Sequence, residues 1–256
     1  MSKSLDKLHD ELNELEKLLF PLYSEHVELF ESIFNVFTIQ NNSEVYRKFY
    51  IDDSRYYNLG RYMKIQNNRE YFNNNVDKWI DYLTNDRTFA IEESLKLMNV
   101  DKENHILEIG SGTGTFYSFL DLNKSENYLG VDISEEMLGE LKKKFPKVKT
   151  CCIDFEKKIN LERKFDIVVL FDSIPHFERL DILFENAMGL LNKGGVFYII
   201  HSKTRNQLKE HHKKINYILN RDAIPNDISL EKECSKLDLK NIVIKDEKFF
   251  FFSCQK

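Results

Sequence analysis

A buried strand that runs straight into three glycines is the feature that most constrains how this chain can fold. His105 to Phe116 reads HILEIGSGTGTF: Ile106, Leu107 and Ile109 form an apolar run broken only by Glu108, and Gly110, Gly112 and Gly114 follow with single residues between them. An apolar run closed by glycines is a buried strand ending in a tight turn free of side chains. A helix is predicted to start at once, at Thr113 or Thr115, and to run through Phe116, Phe119 and Leu120. Its first amides and those of the glycines would then face one small volume suited to a nucleotide or an amino-acid carboxylate.

The spacing is G-x-G-x-G, whereas the dinucleotide fingerprint requires G-x-G-x-x-G, which weakens a pyrophosphate-binding reading. The string LEIGSGTGTF resembles the first motif of the class I S-adenosylmethionine (SAM) dependent methyltransferases. That resemblance implies SAM as the cofactor, with Gly110, Ser111, Gly112 and Gly114 as its loop. It also implies that Glu108, two residues before the first glycine, helps hold the cofactor's amino end.

The later segments follow in the order this family requires. Asn127 to Asp132 (NYLGVD) is a second strand closed by an acid, at the place where an adenosine ribose presents two hydroxyls and a carboxylate can accept from both. Asp132 is therefore the expected ribose ligand. Ser134 caps a helix that carries Glu135 and Glu136 in its first turn and Lys142 to Lys144 near its end. Ile133 and Met137 are placed to flank the adenine, although Met137 fits the core equally well. A third strand, Val148 to Ile153, leads into Asp154 and Phe155, and the resemblance implies that these bind the adenine amino group and cover its ring.

Phe165 to Phe171 (FDIVVLF) reads as a fully buried central strand closed by Asp172. The continuation DSIPHF resembles the family's fourth motif, at the mouth where donor meets acceptor, which adds Phe171 and Asp172 to the expected cofactor contacts. It departs from the [DN]-P-P-[YF] signature of enzymes that methylate amino groups of adenine or glutamine, which disfavours a nucleic-acid or protein-amide substrate. LLNKGGVFYIIHS resembles the turn and strand after the family's fourth helix. Polar helices are expected over Arg205 to Leu219 and Leu230 to Leu237. The closing segments, Ile242 to Lys245 and Phe249 to Ser253, are separated by so few residues that they form an antiparallel hairpin.

The expected fold is thus α/β: a three-layer, Rossmann-like, seven-stranded, mostly parallel sheet with an antiparallel last strand, plus an N-terminal helical extension. Residues 1–95 form a helical lid and 96–256 the SAM-binding domain. In the lid, Leu5, Leu8, Leu12, Leu15, Leu19 and Leu22 alternate in steps of three and four, an apolar helical seam that suits packing or a homodimer contact. Glu44 to Tyr82 is rich in tyrosine and phenylalanine, residues that line small-molecule sites and ordinary cores alike. Asn68 to Met98 resembles the lead-in helices that lie over the cofactor cleft in small-molecule methyltransferases.

Composition narrows the partners. No apolar run approaches the eighteen or so residues of a membrane span, so no membrane partner and a cytoplasmic location are expected. A net charge of −5 gives no global attraction to phosphate-rich partners. The four cysteines show no C-x-x-C pair, and no metal site is expected. The expected acceptor is a small molecule methylated at an O, N or C centre. A base is needed if that centre loses a proton, and His176 in DSIPHF and His201 at the next strand end are the candidates, ahead of His211 and His212. An RNA or protein methyltransferase, a non-catalytic SAM-binding scaffold and a nicotinamide oxidoreductase are the competing readings.

Overall fold

The computed structural model describes residues 68–80, 82–159, 161–214 and 222–256. The chain divides into two units, Met1–Ile65 and Gln66–Lys256. The leucine seam, the homodimer contact expected on it and the aromatic residues before 68 lie outside the described residues.

Seven strands form one sheet in the order β3-β2-β1-β4-β5-β7-β6. They are β1 (Ile106–Ile109), β2 (Tyr128–Asp132), β3 (Lys149–Cys152), β4 (Phe165–Phe171), β5 (Leu191–His201), β6 (Lys240–Asp246) and β7 (Phe250–Gln255). β1 pairs in parallel with both β2 and β4, so the chain steps outward from β1 to β3 and then returns to the other side of β1. This reversal opens a crevice beyond the carboxyl ends of β1 and β4, where open α/β sheets bind ligands.

Side-chain alternation along the strands splits the core in two. Leu107, Ile109, Val168 and Leu170 point into one cluster with Leu183, Phe184 and Ala187 of α3 (Leu180–Leu190) and Leu230 and Cys234 of α5 (Asp227–Lys236). Ile106, Ile167, Val169 and Phe171 point into the other with Ala90 and Ile91 of α1 (Asn85–Met98) and Leu141 of α2 (Glu135–Lys144). Helices on both faces explain why the inner strands read as continuous apolar runs. α2 starts where the sequence placed it, with Ser134 Oγ accepting from the Met137 amide at 3.2 Å.

Two elements differ from expectation. After the glycines there is only one 3-10 turn, Tyr117–Phe119, instead of an α-helix. The aromatics there anchor separately: Phe116 packs on Phe171, and Tyr117 on Tyr128 and Phe145. β5 also begins earlier than its predicted start at Val196, because Leu191 pairs with Phe165 and the Gly194–Gly195 backbone bonds Lys256. The expected antiparallel last strand is present: β7 lies between β5 and β6, so the hairpin reaches the sheet through its second strand. The helix α4 (Arg205–Lys214) starts as predicted. Among the described residues, no helix is long and apolar enough to cross a membrane.

Candidate active site

The glycine loop is drawn over β2 by the amides of Gly110 and Ser111, which both donate to the Val131 carbonyl at 2.8 and 3.0 Å. Gly110, Gly112 and Gly114 have φ of 68°, 51° and 85°, a region closed to most side chains. The first two are glycine for different reasons. A Cβ on Gly110 would lie 2.5 Å from Ser173 Oγ, because the ends of β1 and β4 abut at the reversal point. A Cβ on Gly112 would meet nothing within 4 Å, so that residue borders open space.

Four acids stand along the same rim. Glu108 is buried and accepts from the Tyr128 hydroxyl at 2.5 Å; burial pushes its carboxyl up to about 8, against the pull of that hydroxyl. Asp132 accepts from the Gly112 amide at 2.8 Å and the Ser134 amide at 2.9 Å. Burial raises its pKa above the ordinary carboxylate value, while these amides act in the opposite direction. Since a carboxylate offers about four acceptor sites, the two amides fix Asp132 and leave capacity for a ligand. Asp154 receives the Glu156 amide on Oδ1 at 3.0 Å, but its Oδ2 is sealed and, among the described residues, has no hydrogen-bond partner, only the Lys157 charge at 3.6 Å.

Asp172 is engaged differently. It is held at φ 52° and accepts from the Ser202 amide at 2.6 Å, the Ser202 hydroxyl at 3.0 Å and Arg87 Nε at 2.9 Å. Its carboxylate therefore ties the end of β4 to β5 and α1. Arg87 also donates to the Tyr82 carbonyl at 2.6 Å, with its guanidinium 5.4 Å from the Phe171 ring centroid. Sequence reasoning missed Arg87, whose partner is distant in the chain; the sole signal was an arginine in a segment resembling the lead-in helices. With side chains only 10% and 14% exposed, this pair is expected to matter for stability. Arg87→Met should lower the unfolding free energy by about 3 kcal/mol in a urea titration, because it leaves a buried carboxylate short of its counter-charge.

A strap formed by the helical residues 68–74 and the turns after them crosses this rim. Arg69 Nε donates to the Ile133 carbonyl at 3.2 Å, and Ser134 Oγ to Asn73 Oδ1 at 2.6 Å. Thr113 Oγ1 donates to the Trp79 carbonyl at 3.0 Å, and Lys144 bonds the Ile80 carbonyl. The Phe72 ring meets His176 edge-on with centroids 5.0 Å apart.

The strand order thus brings Glu108, Gly110, Ser111, Gly112, Asp132, Ile133, Asp154, Asp172 and His176 to the carboxyl-end side of the sheet, while a Cβ on Gly114 would face Leu141 and Phe145. Met137, Phe155 and Phe171 are buried, the last two within the core clusters. His201 is buried beside Asp172, with Nδ1 3.5 Å from Oδ1, and Nδ1 accepts from the Lys203 amide at 3.0 Å. Burial holds its imidazole below the usual histidine value despite the nearby carboxylate. His176 sits half-buried on the short turn Ile174–His176, under the strap.

Residues 107–197 match the family model described as a methyltransferase domain. A demethylmenaquinone methyltransferase of Chlorobaculum tepidum is 28% identical over 114 residues, 44% of this chain and 47% of that protein. A methyltransferase of Invertebrate iridescent virus 6 is 24% identical over 107 residues, 41% of this chain and 40% of its own. The chain thus spans less than half the length of these curated relatives. Among solved structures, magnesium protoporphyrin IX methyltransferase from Synechocystis PCC 6803 with bound S-adenosylhomocysteine (SAH) superposes with a TM-score of 0.57 at 16% identity, over 75% of this chain and 99% of that one. A phosphoethanolamine N-methyltransferase 2 from Haemonchus contortus, also bound to SAH, gives 0.56 at 18%, over 75% and 59%. Residues 107–197 thus match a methyltransferase domain, and the sheet order is the fold of these SAH-bound methyltransferases.

Proposed function

We propose that the chain is an enzyme that transfers a methyl group from SAM to a small-molecule acceptor at an O, N or C centre. The observation that carries this reading is the row of acids at successive strand ends, above all Asp154, whose sealed Oδ2 accepts no hydrogen bond among the described residues and has only the Lys157 charge at 3.6 Å. An orphaned buried acceptor costs free energy until a donor reaches it, and the adenine amino group is such a donor. Asp132, fixed by two amides, would take the ribose hydroxyls, and Glu108 the ammonium group. The open side of Gly112 would let the backbone approach the ligand. Bound there, SAM would supply a methyl group already activated on a sulfonium sulfur.

The protein's own work is then to aim the acceptor, keep water out and accept a proton. The strap would exclude water, and proximity supplies most of the acceleration in such a transfer. His176 is the favoured base over His201, because His201 is buried with Nδ1 already accepting a backbone amide. The small-molecule acceptor is supported by DSIPHF, which lacks the amino-methylating signature, and by relatives whose names specify demethylmenaquinone and magnesium protoporphyrin IX.

The test is SAH release from SAM across a panel of small phenols, amines and activated carbon acids. Turnover with at least one is expected, and SAM binding without any turnover would favour a scaffold. With an acceptor in hand, His176→Ala should lower kcat by about a hundredfold or more while SAH affinity barely changes. Equal losses in both would reassign His176 to a structural role.

A further inference from the structure

Trp79 is the single tryptophan of the chain. Its carbonyl accepts the Thr113 hydroxyl, which seats the residue on the glycine loop itself. Its ring lies 6.1 Å from Phe72 and 5.4 Å from Tyr82 between centroids, and the Arg87 guanidinium stands 5.3 Å from the Tyr82 ring. Within this aromatic wall Nε1 is sealed from water and has no hydrogen-bond partner among the described residues. An indole N–H can only donate, and a dry, unpaired donor carries its full desolvation cost.

The functional reading leaves one part of the donor unmatched. Asp154, Asp132 and Glu108 answer the groups of SAM that donate hydrogen bonds: the adenine amino group, the ribose hydroxyls and the ammonium. The amino-acid carboxylate only accepts. The strap runs from Arg69 and Asn73, at the end of β2, to Trp79 and Tyr82, which lead into the Arg87 contact at the end of β4. Trp79 therefore stands toward the β4 side, sharing the Tyr82 ring with the Arg87 guanidinium that Asp172 neutralises.

We propose that Trp79 is a binding residue for the donor's amino-acid carboxylate, its indole N–H donating to that group. This subsite rests on the methyltransferase reading above. Because Nε1 is sealed in the structure, the strap shifts locally when the carboxylate arrives.

The experiment compares SAH with 5′-methylthioadenosine, which keeps the adenosine and the sulfur but lacks the amino-acid group. In nitrogen-labelled wild-type protein the lone indole N–H signal should move downfield with SAH and stay nearly still with methylthioadenosine. By calorimetry, Trp79→Phe should weaken SAH about tenfold to a hundredfold and leave methylthioadenosine within about twofold, since the ring is kept and only the N–H is lost. An indole signal that responds equally to both ligands overturns the subsite. So does a variant that binds SAH as tightly as wild type, or one that loses both ligands equally, which marks Trp79 as a packing residue. Wild-type protein that binds neither nucleoside would overturn the functional reading along with the subsite, an outcome distinct from binding both alike.

Discussion

Gly110→Ala and Gly112→Ala are expected to fail in opposite ways. At Gly112 the added methyl enters open space, so the fold loses only the left-handed backbone preference, about 1–2 kcal/mol. SAH affinity should nevertheless fall at least tenfold, because that space is where the donor must approach. At Gly110 the methyl would sit 2.5 Å from Ser173 Oγ and 2.7 Å from Ser173 Cβ, in a seam closed by β1 and β4. Overpacking adds to the backbone strain, for about 2–5 kcal/mol in all, or a drop in melting temperature on the order of 10 °C. Thermal melts and SAH titrations of both variants check the contrast. A Gly112→Ala protein that binds SAH normally would remove the donor from the loop.

Glu108 should make both stability and donor binding depend on pH. Its carboxyl is pushed up to about 8 by burial, from an ordinary 4.5. Between those values the folded protein holds a proton that the unfolded chain has lost. The associated stability is complete below pH 4.5 and is lost as pH rises through 8. At most this amounts to about 1.4 kcal/mol per pH unit, a few kcal/mol across the window. Glu108→Gln should flatten that slope in urea titrations and make the protein more stable than wild type at pH 9. If Glu108 holds the ammonium group, it must ionise to do so. Wild-type SAH affinity should then climb between pH 6 and 8 with proton release, and Glu108→Gln should lose the trend. A parallel pH profile for the two proteins would detach Glu108 from the donor.

The parts of the site legible in the sequence were those fixed by local pattern. Asp132 could be placed because it closes an apolar run, and strand ends face the crevice in any parallel sheet of this kind, whereas Glu108 and Asp154 came from the family motifs that their segments resemble. Ser134 was legible as a cap for the same local reason. Pairing over long distances was not legible. Arg87 acquires its role only by meeting Asp172, so its polar setting in the sequence gave no hint that it is buried. Asp172, expected to face the cofactor, spends its carboxylate on Arg87 and Ser202. The missing helix after the glycines has a similar cause: Phe116 and Tyr117 satisfy a helical pattern but find separate partners on β4 and β2. The insertion of β7 between β5 and β6 also lay beyond a hairpin argument, which fixes how two strands pair but not which of them joins the sheet.

Calorimetric titration of the purified protein with SAH asks whether the crevice at the ends of β1, β2 and β4 holds a sulfur nucleoside. Saturable binding of one SAH per chain is expected, weakened by Asp132→Ala and by Asp154→Ala in protein that still melts cooperatively. Absence of any heat or thermal stabilisation at millimolar SAH would contradict it.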